Sequence, residues 1–474
     1  MPAFGVAVGV AAAGLATGLL VAAGLQYAGP KGAVAPALAL LCIVLLRFPG
    51  FTFGLLVVVA VMAEAEATGI IPSGAQYYNK AASSLTPPDI LLLIGLGGVL
   101  LRFVTDDERP LLPDPLTLPL ILMALALAAG AVTALGANAG VSQGDLFHRG
   151  MHIAYIFLVP LLAVNVIRDT RSLKLFAVIV AALGAIKGIA GLYVAFGGVG
   201  NTVEEETISF LNPVPNLLML ILVLGVVAAL IRKVKIPLWM MAAAPISLLS
   251  LVLSFRRSFW IAAAFTLIVV IIIASRRRGR AVLAIGAITL ALAVGAAVTI
   301  GSSDDPSASP LAERAQTLSP SSIGSNRGDR YRVDERQNVI ENIEAQPLTG
   351  IGLGVNWKVH QPLAEAHDRR YAHVATLWYW LALGPLGLIA YVAIFASGLW
   401  TAVRIWRRHP DEIIQVCAIA AFGAILGLGV VELTATFTGI EPRVSLILGA
   451  ALGWLAAAWR DLPPPKDRAP SAPS

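Results

Sequence analysis

The sequence predicts an all-α, polytopic membrane protein of about 12–14 transmembrane helices with one large extracytoplasmic loop. Three observations carry this expectation. Hydrophobic residues make up 57% of the 474 and charged residues only 13%, where a soluble chain carries roughly a quarter charged residues. Apolar stretches of about 20 residues, enough to cross a bilayer as a helix, recur along the whole chain. The segment 301–373 is the only long hydrophilic stretch between them.

Fourteen spans are expected, at about 4–28, 32–48, 51–71, 89–105, 116–136, 149–168, 173–195, 214–232, 236–254, 258–275, 281–300, 374–403, 412–432 and 443–459. Lys31 is the first charge, so 4–28 reads as a retained helix rather than a signal peptide. Its Gly5/Gly9 and Gly14/Gly18 pairs provide small faces for close helix packing. The organisation is then eleven helices in 1–300, the extracytoplasmic loop 301–373 and three helices in 374–460. A Pro/Ala/Ser-rich tail, 461–474, is expected to be disordered and cytoplasmic. Cys42 and Cys417 both sit in apolar spans, which indicates no disulfide framework.

The chain is basic, with a pI near 9.4, but in a membrane protein excess Lys and Arg first report topology, and no nucleic-acid partner is expected. Arg47, Arg102, Arg109, Arg168, Arg171, Lys174, Arg232, Lys233, Lys235, Arg276, Arg277, Arg278, Arg280, Arg404, Arg407, Arg408, Arg460, Lys466 and Arg468 fall on one side. The opposite short connections carry Lys31, Lys80, Arg149, Arg256, Arg257 and Arg443. The positive-inside rule places both termini in the cytoplasm and 301–373 outside. Glu64, Glu66, Lys187, Arg149 and His152 then lie toward the outer ends of their spans, giving a polar basin above a closed apolar floor. Each of these singly also fits a helix-end residue snorkelling to water; as a set they imply partners, because a charge inside a span costs several kcal/mol.

Arg256-Arg257-Ser258 sits in a short outer turn against the positive-inside bias. Guanidinium forks pair bidentately with phosphate oxygens, so an anionic substrate or a phospholipid headgroup fits there. In the loop, Asn326-Arg327-Gly328-Asp329-Arg330-Tyr331-Arg332 precedes an amphipathic helix expected at about 333–345 and ending before Pro347. Thr349-Gly350-Ile351-Gly352-Leu353-Gly354 lacks the strand–helix frame of a dinucleotide site and reads as a turn of close backbone approach. His360, His367 and His373 match no zinc spacing, and no metal or other cofactor is expected.

His373, Leu377, Gly384 and Gly387 reproduce a pattern of His, Leu at +4, and Gly at +11 and +14. It resembles the helix after the large periplasmic loop in the O-antigen ligase and O-antigen polymerase superfamily. Upstream, Arg332, Pro347 and Gly350-Ile351-Gly352-Leu353-Gly354 resemble the end of that loop. Arg257-Ser258-Phe259-Trp260 is similar to a conserved start of a span. The three motifs keep the family's order over roughly 250–390. The chain departs from the pattern at Val374 (usually Asn), Ala382 (often acidic), Arg336 (usually aromatic) and Arg256 (usually Ser).

The resemblance implies a bacterial cytoplasmic-membrane glycosyltransferase, inverting and metal-independent. Its donor would be a polyprenyl-diphosphate-linked glycan and its acceptor a hydroxyl of a glycan, lipid or protein. It implies His373 as general base and Arg257 and Arg332, with Arg256 and Arg330 second, as the residues balancing the diphosphate. Ligase and repeat-unit polymerase both fit, as does, from another class, a transporter of anionic solutes. A non-catalytic assembly scaffold would tolerate loss of His373.

Overall fold

A computed structural model describes residues 39–62, 85–105, 110–137, 141–197, 213–254, 256–275, 327–363 and 368–463. Among them the architecture is all-helical and polytopic: α1 (Ala39–Arg47), α2 (Pro49–Met62), α3 (Pro87–Thr105), α4 (Thr117–Gly136), α5 (Gln143–Val166), α6 (Thr170–Gly197), α7 (Pro213–Arg232), α8 (Leu238–Val252), α9 (Arg257–Ala274), α10 (Arg327–Ala345), α11 (Ala375–Arg408), α12 (Glu412–Val431) and α13 (Pro442–Arg460). Nine described helices are long and apolar enough to cross a bilayer, or ten if α1 and α2, which meet at 109°, form one broken span. The expected spans at 4–28 and 281–300, together with Glu64, Glu66, His367 and the tail beyond 463, lie outside the described residues.

α5, α7, α12 and α13 form the interior, since most of each span is buried against the other helices. Small residues set the closest approaches. A Cβ on Gly449 of α13 would meet the Tyr155 carbonyl of α5 at 2.5 Å, and one on Gly184 of α6 the Leu218 carbonyl of α7 at 2.7 Å. Lys187 lies on the same face as Gly184 and is fully buried.

One end of the bundle is tied together by basic residues. Lys174 meets Asp411 at 2.5 Å, Arg460 donates to the Ile167 carbonyl and Arg232 to the Gln415 side chain. Between α6, α7, α12 and α13, starting at this end, lies a cavity of about 350 Å³ with apolar walls and Lys174 and Lys235 in its lining. The floor is therefore apolar, as expected, but not closed.

The other end is irregular, and two sequence expectations change there. The loop helix begins at Arg327 rather than 333, so Arg330 and Arg332 are helical. The span expected at 374–403 is a 34-residue helix broken at Gly384, whose φ is 71° and ψ −173°. Its longer arm alone reaches roughly 36 Å at 1.5 Å per residue, enough for the bilayer core. The short arm packs on α4, where a Cβ on Gly130 would meet the Ala382 carbonyl at 2.8 Å.

Candidate active site

The break in α11 has a local cause. Pro385 has no N–H, so the Leu381 carbonyl that would accept it is left without a helical partner. Ile351 of the glycine turn supplies the missing donor, with its N–H 2.8 Å from the Leu381 oxygen. The neighbouring Leu353 N–H reaches the Gly130 carbonyl of α4 at 3.1 Å. Gly350 and Gly352 hold positive φ of 63° and 99° there, and a Cβ on either would lie 2.4 Å from Leu381 O or 2.6 Å from Ala134 N. The glycine turn is thus the wedge that threads between α4 and the break.

α10 presents a buried stripe of Tyr331, Glu335, Asn338, Val339 and Asn342. The two asparagines act as a zipper for an extended segment. Asn342 accepts from Lys358 N at 2.9 Å and donates to Lys358 O at 2.7 Å, and Asn338 accepts from the N–H groups of His360 and Gln361 at 2.6 and 2.8 Å. That segment presents Trp357, fully buried, whose backbone N–H meets Arg369 O and whose indole N–H meets Tyr371 O, both at 3.0 Å. The chain leading into His373 is therefore held from α10.

His373 itself is gripped by Glu335. Its backbone N–H donates to Oε2 at 2.9 Å, and its ring Nδ1 lies 2.9 Å from the same oxygen and 3.1 Å from Oε1. Glu335 is 2% exposed and also accepts from the Tyr331 hydroxyl at 3.2 Å. The rings of Tyr331 and Tyr371 flank the imidazole at 5.7 and 5.5 Å. A buried carboxylate at Nδ1 fixes the tautomer and the orientation of the ring. Burial, with the charges of Glu335 and Asp368, raises the Tyr371 hydroxyl above its ordinary pKa, so it stays protonated.

A second brace reaches the same segment from α5. Asp368 accepts from Arg370 Nε at 2.8 Å and lies 3.9 Å from Arg149. Burial opposes ionisation of Asp368, but the hydrogen bonds and charge of Arg370, with Arg149, outweigh it and hold the carboxyl below its usual value. His152, one turn along α5, has Nδ1 2.8 Å from the Ile440 carbonyl.

The turn after α12 joins His373 to the arginines. Glu432 is buried and accepts from the N–H groups of Phe437 and Thr438, the Thr438 hydroxyl and the Tyr391 hydroxyl. On one side this turn holds the histidine strand: Thr436 Oγ1 donates to Ala372 O at 2.5 Å, and Ala375 N to Glu432 O at 3.2 Å. On the other, Phe437 packs on Phe259 with ring centroids 6.5 Å apart, two residues from Arg257.

Arg256 is the N-cap of α9 and Arg257 its first residue, both half-buried. Their side chains thus join the positive end of a helix macrodipole, a place suited to an anion. Trp260 fixes this turn by donating from its indole to Val252 O at 2.9 Å, at the end of α8. Arg330 and Arg332 are both exposed on α10. At about 100° per residue Arg332 falls beside the buried stripe that carries Glu335, and Arg330 nearly opposite.

Of the three histidines, His373 is paired with Glu335, His360 lies 3.8 Å from Glu341, and His367 is not described. Among the described residues no three His, Cys, Asp or Glu side chains gather as a metal-binding group. Sequence reading missed Glu335, Asn338, Asn342, Trp357 and Glu432. The signal for the first three was present as polar residues at i, i+3 and i+7 on one helix face.

A comparison with curated proteins finds no match. Residues 241–392 match the family model described as O-antigen ligase, an interval that contains Arg257, Arg332, Glu335 and His373. By that match residues 241–392 are similar to the O-antigen ligase family.

Proposed function

We propose that the protein transfers a glycan from a polyprenyl diphosphate carrier to an acceptor hydroxyl at the outer face of the bacterial cytoplasmic membrane. The observation that carries this is the grip of buried Glu335 on His373, the arrangement of an oriented general base. His373 Nε2 takes the acceptor proton as its oxygen bonds to the anomeric carbon. The bond from that carbon to the diphosphate oxygen breaks, and the diphosphate leaves with the electron pair. Attack from the opposite face inverts the anomeric centre.

Charge builds on the leaving diphosphate, and Arg257 at the start of α9 balances it with Arg332 from α10. The donor reaches the site laterally, its lipid tail in the bilayer. Ligase and polymerase share this chemistry and differ in the acceptor. An anionic-solute transporter fits less well, since the cavity in the basic half is walled by apolar side chains. In a deletion strain, wild type should restore surface glycan while His373→Ala accumulates lipid-linked precursor. Normal glycan with the variant would contradict the proposal.

A further inference from the structure

We propose that the cavity at the basic end binds one acyl chain of an anionic phospholipid, with the lipid phosphate at Lys235 and Lys174. This site lies at the opposite end of the bundle from His373 and does not depend on the transfer reaction. The cavity begins where Lys174 opens α6 and Lys235 precedes α8, and it reaches Leu222 midway along α7 and Ile447 of α13. That depth corresponds to one leaflet, with charge at headgroup level and apolar walls below it.

Charge and shape select the occupant. Apolar cavities of this size exclude water and are filled by apolar matter. Among the described residues the charged groups in the lining are two lysines, and the exposed Lys235 leaves the mouth net positive even though Asp411 neutralises Lys174. A chain-bearing anion satisfies both features, and a zwitterionic lipid satisfies only one. A polyprenyl diphosphate would place its anion at the other end, beside Arg257.

The test is native mass spectrometry on the full-length protein, delipidated and then supplied with phosphatidylglycerol and phosphatidylethanolamine together. Wild type should retain one phosphatidylglycerol, favoured about fivefold, the scale of one basic side chain at a membrane surface. Lys235→Glu, on an exposed residue, should abolish that preference. Ala421→Phe, which fills the cavity wall, should abolish retention. Equal retention of the two lipids by wild type, or a Lys235→Glu profile matching wild type, would overturn the proposal. So would displacement of phosphatidylglycerol by added polyprenyl phosphate.

Discussion

Glu335 holds His373 twice, through the backbone N–H and through ring Nδ1, each at 2.9 Å from Oε2. The first contact sets where the strand lies and the second sets how the ring faces. Glu335→Gln presents an amide that can satisfy only part of this. It should lower kcat by roughly two orders of magnitude or more, within the range of losing an oriented base, with little change in KM. Glycan-transfer kinetics on the purified protein check this, and an unchanged kcat would sink the positioning role.

The two loop arginines should separate. Arg332→Ala should weaken donor use by one to two orders of magnitude, about 1.4 kcal/mol per decade, whereas Arg330→Ala should cost little, because the helix turns it away from the Glu335 stripe. Arg257→Lys should also be impaired, since a point charge does not reproduce a bidentate fork. Rates at varied donor concentration distinguish these cases.

Gly350→Ala should destabilise the loop by about 1–3 kcal/mol, since φ of 63° disfavours a side chain and its Cβ would sit 2.4 Å from Leu381 O. Gly136→Ala, at the end of α4 with nothing within 4 Å of the added atom, is the matched control. Limited proteolysis of the folded protein should open the first variant and leave the second intact.

The Asp368 carboxyl is held below its ordinary value of 3.8. Its contribution to holding the loop is therefore present above that value and lost as pH falls through the lowered one. Protease resistance of the wild-type loop should be flat from about pH 7 to 5 and fall below about 4. Asp368→Asn should be weaker at neutral pH and lose that acid step.

The bundle was legible because its signal is length and apolarity, which single residues such as Leu222 or Val159 report without knowledge of neighbours. His373, Arg257 and Arg332 were singled out by motif and order. Their supports were not. Glu335 and Asn338 look like the solvent face of a charged helix until the His373 strand covers the one and the 358–361 segment the other. The break at Gly384 was marked by Gly-Pro, yet which backbone group would answer Leu381 depends on a turn thirty residues upstream. Glu432 reads as a charge at a helix end, and its burial follows only from the fold of the 432–438 turn.

The most direct test is release of polyprenyl diphosphate by the purified protein from a lipid-linked glycan supplied with acceptor, comparing wild type with His373→Ala. The proposed mechanism predicts turnover by wild type and a loss of about 10²–10⁴-fold in the variant, with donor binding retained. Equal rates in the two proteins would contradict a catalytic His373 and remove the basis for the transfer reaction assigned to this site.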